Sequence, residues 1–496
     1  LQEGISHEAA SLAGHLRLGR LIYLYDDNEI TIDGGTELSS SDDAVLRFTS
    51  YGWHAERVDG HDPTAIAQAI ERAKADPRPS LIACRTVIGW GSPSFQGTSK
   101  THGAALGAAE ILLAKARLGL DGAMHFAVPE DVLAAFRAHP GPGSRTRWEA
   151  RMSDHPRAAE LREWLAADGA ALADRVKWPS FAPGKAQATR KTSQACLKAI
   201  TAASPWVIGG SADLAGSNGT EVDRPAFTRE TFAGAGTLHF GIREHAMGAV
   251  CNGIALHGGA RPYGATFLIF HDYMRPSVRL SSLMNIPSVW IYTHDSFFLG
   301  EDGPTHQPIE TLLALRSIPG LAVLRPCDGA ETVEAWRIAL QRSMGPTSLV
   351  LTRQNLPEFD HGGRPAVGRG AYVLRAGGEQ PDLVLIGTGS EVALCVEAAE
   401  KLAERGTVAR VVSMPWREQF LAEDKAYRAS VLPAGVPRLS VEAATTLGWH
   451  GIVGDTGDSV GIDHFGASAP ANVLAEKFGF TADAVVARAE ALLSGR

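Results

Sequence analysis

The segment SVWIYTHDSFFLGEDGPTHQPIE, residues 288–310, decides how this sequence is interpreted. Its first part is an uninterrupted apolar run, which predicts a buried strand, and its Gly-Pro part predicts a loop. The strand would bring His294 and Asp295 to its carboxyl end. The loop would present four further polar side chains beside them: Glu301, Asp302, His306 and Gln307. Titratable side chains gathered at one strand–loop junction are typical of a functional site.

Taken alone, a histidine at a strand end is more often a hydrogen-bonded structural residue than a catalyst. The whole segment is more specific, because THDS followed by GEDGPTHQP closely resembles the corresponding segment of transketolases. These are thiamine-diphosphate enzymes that move two-carbon ketol units between sugar phosphates. The resemblance covers essentially the whole chain, from EGISHEA (3–9) to HFGASAPANVLAEKFGF (464–480).

The composition is that of a soluble enzyme. A chain of 496 residues is long enough for about three domains. A net charge of −8 argues against general attraction to nucleic acid or anionic lipid, so any positive potential must be local. The five cysteines are scattered, with no metal-ligand spacing, which argues against a zinc site or a disulfide frame. No apolar run reaches the roughly 18 residues of a membrane helix and no signal layout opens the chain, so we expect a cytoplasmic protein.

Apolar, β-branched runs alternate with helical patterns along the chain, which predicts an α/β fold with mainly parallel sheets flanked by helices. The first block predicts strands at 21–26, 53–58 and 80–87, with helices near 42–51 and 63–75. The second predicts a helix at 192–200 and strands at 206–212, 261–267, 288–294, 321–326 and 347–353. The third predicts strands at 382–390, 409–415 and 437–443, with helices at 391–404 and 484–494. We therefore expect three stacked domains, the fold that the resemblance also implies.

The predicted domains are a diphosphate-binding domain (1–118), a helical connector (119–189), a pyrimidine-binding domain (190–357) and a C-terminal domain (358–496). The connector is punctuated by HPGPGSR (139–145) and WPSFAPGK (178–185). The chain opens at Leu1 directly into a helical pattern. The resemblance implies that a metal-binding Gly-Asp-Gly turn and diphosphate-binding histidines precede this helix, so we expect the first domain to be incomplete.

The segment YDDNEITIDG (25–34) leaves the first predicted strand. On its own, such a loop is more often a turn closed by side chain–backbone hydrogen bonds. It also resembles the second half of the family's metal motif, which implies that Asn28 and the Ile30 carbonyl bind Mg²⁺ or Ca²⁺; both ions prefer oxygen ligands. Glu29 stands where the family usually has glycine, a change expected to alter the turn more than the ligation.

Glu244 lies at the first turn of the helix predicted in HFGIREHAMGAVCNGIALHGG (239–259). A carboxylate there is ordinarily a partner of the helix dipole. The resemblance instead implies that Glu244 binds the pyrimidine ring of thiamine diphosphate and starts catalysis by sharing its proton, which requires a buried carboxyl group.

Phe267, Phe270 and Tyr273 recur at a spacing that predicts one side of a helix start, and such a stripe is usually core. The resemblance implies that these rings form the pocket of the cofactor's aminopyrimidine, and that Asp213 in GGSADLAGSN (209–218) also faces the cofactor.

Sugar-phosphate substrates need a phosphate site, and the arginine fork suits phosphate oxygens. The resemblance implies a phosphate site formed by Arg190, Ser217, His306 and Arg353. It also implies that His102, His294 and Asp302 face the substrate's oxygens. The three histidines His102, His294 and His306 would handle protons or alkoxide charge, with His102 also at the cofactor.

The functional prediction is a transketolase that acts as a homodimer, with each site between the first domain of one subunit and the second domain of the other. The alternative is a catalytically inactive remnant, or one chain of a split enzyme. Dihydroxyacetone synthase and deoxyxylulose-phosphate synthase are mechanistic relatives, but the GEDGPTHQP loop and both arginines favour sugar-phosphate ketol transfer. The Gly-rich GTGSE (387–391) is interpreted as a turn into a helix and not as a phosphate loop.

Overall fold

The computed structural model describes residues 1–139, 141 and 143–495. Two prolines of the predicted HPGPGSR punctuation, Pro140 and Pro142, lie outside the described residues. The chain divides into two compact units, Leu1–Leu161 and Arg162–Arg496. Within the described ranges, no helix is both long enough and apolar enough to cross a membrane.

The first unit is built on a three-stranded parallel sheet in the order β1-β3-β2. Its strands are β1 (Ile22–Asp27), β2 (His54–Asp59) and β3 (Ser80–Arg85). The helices from its amino end are α1 (Gly4–His15), α2 (Ala44–Ser50), α3 (Pro63–Ala75) and α4 (Ala108–Arg117). The central strand β3 is buried along its whole length except at Arg85, because a middle strand of a parallel sheet is covered on both faces. One core contains Phe48 and Trp53, and the other contains Ala69 and Ala73.

The described residues of the predicted connector form four helices: α5 (Glu130–Ala138), α6 (Ser144–Asp154), α7 (Ala158–Ala166) and α8 (Gly169–Arg175). The last of them begins where Asp168 accepts hydrogen bonds from the amides of Ala170 and Ala171, both at 3.0 Å. An aspartate at this position satisfies donors that the first helical turn leaves open.

The second unit contains a six-stranded, entirely parallel sheet in the order β5-β4-β6-β7-β9-β8. Its strands are β4 (Val207–Ser211), β5 (Thr237–His239), β6 (Arg261–Phe267), β7 (Val289–Thr293), β8 (Ala322–Leu324) and β9 (Thr347–Leu351). Its helices are α9 (Thr189–Ala203), α10 (Ala215–Asn218), α11 (Glu244–His257), α12 (His271–Leu283), α13 (Thr311–Arg316) and α14 (Gly329–Gln341). All residues of β6, β7 and β9 are buried.

A five-stranded sheet in the order β10-β12-β11-β13-β14 completes the second unit. Its strands are β10 (Tyr372–Arg375), β11 (Leu383–Gly387), β12 (Ala409–Ser413), β13 (Arg438–Val441) and β14 (Asp458–Val460). Its helices are α15 (Glu391–Glu404), α16 (Arg417–Ala422), α17 (Lys425–Val431), α18 (His450–Val453), α19 (Ala471–Phe478) and α20 (Ala482–Leu493). Only the edge pair β10–β12 is antiparallel.

The prediction of an α/β fold with mainly parallel sheets flanked by helices is confirmed. Three strands were not predicted: β5, β10 and β14. Each has only three or four residues, too few to show the periodicity that identifies a strand in sequence. Several predicted strands also end earlier in the structure, since their last residues turn into the loops that carry the candidate site.

Candidate active site

Four neighbouring strands of the six-stranded sheet end at the same edge. Ser211 of β4 pairs with Ala265 of β6, and Thr293 of β7 pairs with Phe267 of β6 and Leu351 of β9. The carboxyl edge of an open parallel sheet is where ligands bind in such folds.

Four predicted site residues lie at this edge: Asp213, two residues after β4; Phe267, the last residue of β6; His294, directly after β7; and Arg353, two residues after β9. Two of them have an unusual backbone, since φ is +61° at Asp213 and +58° at His294. Side chains other than glycine rarely adopt this left-handed conformation, and such residues concentrate at functional positions.

His294 is buried and its imidazole is fixed on two sides. Its ring stacks on Phe267 with centroids 3.8 Å apart, and its Nδ1 lies 2.8 Å from the hydroxyl of Thr293. Burial, together with the charges of Arg190, Arg353 and His306, lowers the pKa of His294 to about 3. The imidazole is therefore neutral at physiological pH and lies among cationic groups.

Arg190 and Arg353 are brought together by the residues that precede them. The hydroxyls of Thr189 and Thr352 lie 3.1 Å apart, and each hydroxyl also accepts a hydrogen bond from the other residue's amide. This reciprocal contact ties the start of α9 to the end of β9. Burial and the charge of Arg353 both lower the pKa of Arg190, so the two guanidinium groups repel each other.

The Arg190 guanidinium donates to the carbonyl of Ser217 at 2.8 Å, while its Nε is buried and has no hydrogen-bond partner among the described residues. The predicted hydroxyl ligand Ser217 thus positions Arg190 through its backbone. A buried donor without a partner is costly, and an anion bound here would satisfy it.

His306 also lies near His294 at this edge. Its ring meets Phe270 edge-on with centroids 5.6 Å apart, and its Nδ1 lies 3.0 Å from the Thr305 hydroxyl. Asp302, from the same loop, is exposed.

Two residues predicted to join the site in this loop serve the structure instead. Gln307 is buried and donates to the carbonyls of Gly300 and Ala467, at 2.8 and 2.9 Å. It therefore fixes the loop to the C-terminal part of the chain. Asp295 turns away and pairs with the buried Arg325 at 2.8 Å.

Arg325 was not predicted as important, although its place at the end of the run LAVLRP (321–326) could have identified it. Its guanidinium also pairs with Glu391 and donates to Thr388, in the GTGSE turn, at 2.8 Å. Thr388 in turn donates to Glu442 at 2.6 Å, and Glu442 pairs with Arg316 at 2.8 Å. The GTGSE segment is thus a turn into α15 and takes part in a buried charge network.

Glu244 is the first residue of α11 and is 8% exposed, the burial that its predicted role requires. The helix lies close to α12, where Ser277 donates to the His245 carbonyl at 3.1 Å. A side chain at Gly248 would come within 2.7 Å of Ser277, which explains why a glycine occupies this position.

The aromatic series differs from its prediction. Phe267 ends a strand, Phe270 lies in a short 3₁₀ turn and Tyr273 lies in α12, so the three do not share one side of a helix start. The i, i+3 spacing arose from a strand-to-helix turn. Phe267 and Phe270 nevertheless stack nearly parallel at 5.9 Å, and Tyr273 is 5.9 Å from Phe270 and 65% exposed. Flat rings at a sheet edge fit a heteroaromatic cofactor.

The first unit holds the predicted metal ligands. Asn28 accepts a hydrogen bond from the Ile30 amide at 3.0 Å. This contact closes the turn that the residue types alone predict. The neighbouring bridge between Ile30 and Gly35 uses the carbonyls of Glu29 and Gly34, which leaves the Ile30 carbonyl for another partner. Both oxygens therefore fit a hard cation.

Glu29 has φ of +57° and pairs with Arg85 at 2.5 Å, so a non-glycine residue adopts the left-handed turn. His102, exposed, follows a 3₁₀ turn. In the described part of the chain, no group of three or more His, Cys, Asp or Glu side chains could hold a metal ion.

Sequence models of three domain families match the chain. They are the thiamine diphosphate binding domain of transketolase over residues 1–170, the transketolase pyrimidine binding domain over 185–358 and the transketolase-like C-terminal domain over 370–481. The first match gives no support to the prediction that the first domain is incomplete.

Curated relatives and solved structures support the same family as these domain models. Transketolases from Nostoc sp. and Cereibacter sphaeroides are each 50% identical to the chain, over 99% of it and 75% of their own length. The structure of a Pichia stipitis transketolase complex with sedoheptulose-7-phosphate superposes with a TM-score of 0.94 and 40% identity, over 99% of this chain and 75% of that one. The chain belongs to the transketolase family.

Proposed function

We propose that the chain transfers a two-carbon ketol unit reversibly from a ketose phosphate to an aldose phosphate. The observation that carries this proposal is the cationic edge of the six-stranded sheet, formed by Arg190, Arg353 and His306 around the neutral His294. Among the described residues, none of the three forms an ion pair with a carboxylate, and the Nε of Arg190 has no hydrogen-bond partner. In a chain of this family, such an edge suits the phosphate group of a sugar phosphate.

The proposed roles follow the chemistry of each side chain. Arg190, Arg353, Ser217 and His306 bind the phosphate group. Asp302, which is exposed on the loop, accepts a hydrogen bond from a sugar hydroxyl and so discriminates sugar stereochemistry. His294 and His102 face the substrate's oxygen atoms, with His294 next to Arg190 and Arg353 and so also beside the phosphate group. An imidazole there stabilises developing charge or moves a proton.

We propose that thiamine diphosphate and Mg²⁺, or Ca²⁺, bind the same enzyme. When bound, the cofactor supplies the electron sink that carbon–carbon cleavage needs. Asn28 and Ile30 would hold the metal ion. Phe267, Phe270, Tyr273, Asp213 and His102 would line the cofactor site. Glu244 would hold a shared proton at its carboxyl oxygen, facing the cofactor's pyrimidine nitrogen.

The proposed organisation is a homodimer with sites at the subunit interface. It is supported by apolar residues that remain exposed on the adjoining helices α11 and α12: Leu256, Tyr273, Leu280 and Leu283 are 45–68% exposed. Exposed apolar surface of this kind marks association sites. Sedimentation of a Leu280→Glu/Leu283→Glu variant should show monomers, and an unchanged dimer would contradict the proposal.

The predicted domain limits, 1–118, 119–189, 190–357 and 358–496, are proposed as the functional divisions. Residence in the cytoplasm is supported by five cysteines that are all buried free thiols. We propose a role in carbon fixation or in pentose phosphate metabolism. The alternative of an inactive remnant or a split enzyme is not favoured, because transketolases that are 50% identical match 99% of this chain.

Replacement of Glu244 tests the proposal. With thiamine diphosphate and Mg²⁺ present, Glu244→Gln should lower kcat about 10²- to 10⁴-fold, the usual contribution of a proton-transfer group. Glu221→Gln, at an exposed carboxylate in the same unit, is the matched control and should retain full turnover. Near-normal turnover in Glu244→Gln would remove Glu244 from the mechanism. Absence of saturable thiamine diphosphate binding by the unaltered chain would favour the alternative.

A further inference from the structure

A chain of buried hydrogen bonds connects Ala265 in strand β6 to His294. The Ser211 hydroxyl lies 3.0 Å from the Ala265 carbonyl, the Asn218 amide nitrogen lies 2.8 Å from the Ser211 hydroxyl, and the Thr293 hydroxyl lies 2.8 Å from the Asn218 amide oxygen. Each of these side chains is at most 3% exposed. Water therefore does not complete the chain, and its protons can be assigned by counting donors.

The assignment begins at the carbonyl of Ala265, which can only accept. Ser211 must donate its single proton there, so Ser211 accepts from Asn218. The amide nitrogen of Asn218 therefore faces Ser211, and its oxygen faces Thr293. Two oxygens 2.8 Å apart need a proton between them, and only the hydroxyl of Thr293 can supply it.

Once Thr293 donates to Asn218, its oxygen can only accept from the Nδ1 of His294, 2.8 Å away. A neutral imidazole carries one proton, so Nδ1 has it and Nε2 has a lone pair. Nε2 has no hydrogen-bond partner among the described residues.

We propose that Asn218 and Thr293 are positioning residues that fix His294 as its Nδ1–H tautomer, so that an acceptor nitrogen, and not a donor, faces the phosphate group of the substrate. The inference rests on the proposed function for the identity of the ligand. Its consequence is that binding of a phosphate dianion must take up one proton. A phosphate monoester is mostly a dianion at pH 8, since its second pKa is about 6, and a dianion cannot bind a lone pair. One proton taken from the buffer must therefore lie between Nε2 and a phosphate oxygen in the complex.

The surroundings of His294 agree with this requirement. The charged groups that face it are Arg190 from α9, Arg353 after β9 and His306 from the loop. The adjacent Asp295 is turned to Arg325, so its charge is already paired. Before a ligand binds, the cations disfavour a protonated imidazole, whereas a bound dianion reverses the sign of the local charge.

Asn218 also links His294 to Arg190. It closes the short helix α10, and the following Gly219 has φ of +67° and would place a side chain 2.7 Å from the Arg190 carbonyl. Ser217, on the other side of Asn218, accepts from the Arg190 guanidinium. One tight turn thus sets both a phosphate-binding arginine and the protonation of the neighbouring histidine.

Long-range ¹H–¹⁵N spectra of the histidine-labelled protein test the tautomer, with His294→Gln used to assign the signal. At pH 7.5 the unaltered protein should show a protonated Nδ1 and a bare Nε2. Thr293→Val and Asn218→Leu should move the proton to Nε2, whereas Thr293→Ser, which keeps the hydroxyl, should restore the original spectrum. Thr201→Val, which removes a buried hydroxyl bonded to its own helix, is the matched control. A protonated Nε2 in the unaltered protein would overturn the inference.

Calorimetry with methyl phosphate at pH 8, in two buffers of different ionisation enthalpy, tests the proton balance. We expect uptake of close to one proton per ligand bound by the unaltered protein and close to none by Thr293→Val. Binding without proton uptake by the unaltered protein would overturn the inference while leaving ketol transfer intact. If methyl phosphate does not bind at all, the phosphate part of the inference fails together with the proposed function.

Discussion

The second unit contains two pairs of arginines in opposite surroundings. Arg190 and Arg353 lie at the sheet edge and face each other and a neutral imidazole. Arg316 and Arg325 are buried, and each contacts carboxylates. The two pairs share one unit, yet their electrostatic environments have opposite signs.

The difference separates structural charge from functional charge. Although burial opposes charge, Glu391 and Asp295 raise the pKa of Arg325, and the charges of Arg316 and Arg325 hold the pKa of Glu442 at about 2 despite its burial. In that network each arginine is paired with a carboxylate, so its charges are compensated without a ligand. The pair at the edge lacks such compensation, which leaves a local positive potential in a chain of net charge −8. Of the two pairs, only Arg190 and Arg353, which lack carboxylate partners, would gain stabilisation from a bound anion.

The largest expected effect comes from the complete network. Arg325→Met removes the cation from Asp295 and Glu391, and breaking a buried pair in this way typically costs about 3–5 kcal/mol of unfolding free energy. Thermal and denaturant unfolding should show the loss. Arg353→Met, at an exposed arginine, is the matched control and should change stability by less than about 1 kcal/mol. Equal stability of the two variants would abolish the distinction drawn above.

A smaller effect, on substrate binding, is expected at the edge. Arg353→Met should raise KM for a phosphorylated aldose about 10- to 100-fold, since a charge-assisted hydrogen bond is worth about 1.5–3 kcal/mol. The kinetics with an unphosphorylated aldose should stay close to those of the unaltered enzyme. Measurement of both acceptors separates the phosphate contact from a general loss of activity, which would affect both alike.

A third group of buried charged side chains extends the comparison, because it contains more carboxylates than cations. Asp328, Glu331 and Glu358 lie close to a single histidine, His361, which pairs with Asp328 at 2.6 Å. Burial and the charge of Asp328 raise the pKa of Glu358 to about 7. A carboxyl group with a raised folded-state pKa stabilises the fold fully below its unfolded pKa, and this contribution is lost as the pH rises through about 7.

The smallest expected effect follows from that sign. The unfolding free energy of the unaltered protein, measured by thermal unfolding at each pH, should fall between about pH 5 and about pH 7, and Glu358→Gln should reduce this fall by about 1 kcal/mol. Glu379→Gln, at an exposed glutamate, should leave the pH dependence unchanged. A pH dependence that is the same in Glu358→Gln would show that the carboxylate excess is compensated elsewhere.

The sequence predicted the fold class well because long apolar strands and long helices carry a clear period. α3 (63–75) and α15 (391–404) were predicted with the bounds that the structure has. Short edge strands such as β5 carry no such period. The aromatic spacing was misinterpreted for a related reason, since a strand followed by a tight turn reproduces the i, i+3 interval of a helix.

The site was only partly predictable. Motifs identified residues such as His294 and Arg353, but sequence could not tell which polar residues of one loop turn inward. Asp295 and Gln307 therefore seemed equivalent to His294, although one pairs with Arg325 and the other fixes the loop. The role of Asn218 could not be predicted, because a hydrogen-bond chain that joins three strands has no local pattern in the sequence.

The attachment of the loop at residues 299–310 has a consequence for recombining relatives. Gln307 and the Glu301 carbonyl are bound by Ala467 and Ser468, so the shape of this loop is inherited jointly from two distant parts of the gene. A chimera that exchanges residues 370–496 also replaces the support of the loop. Its sugar preference should then follow the donor of the C-terminal part wherever that donor differs at 466–468.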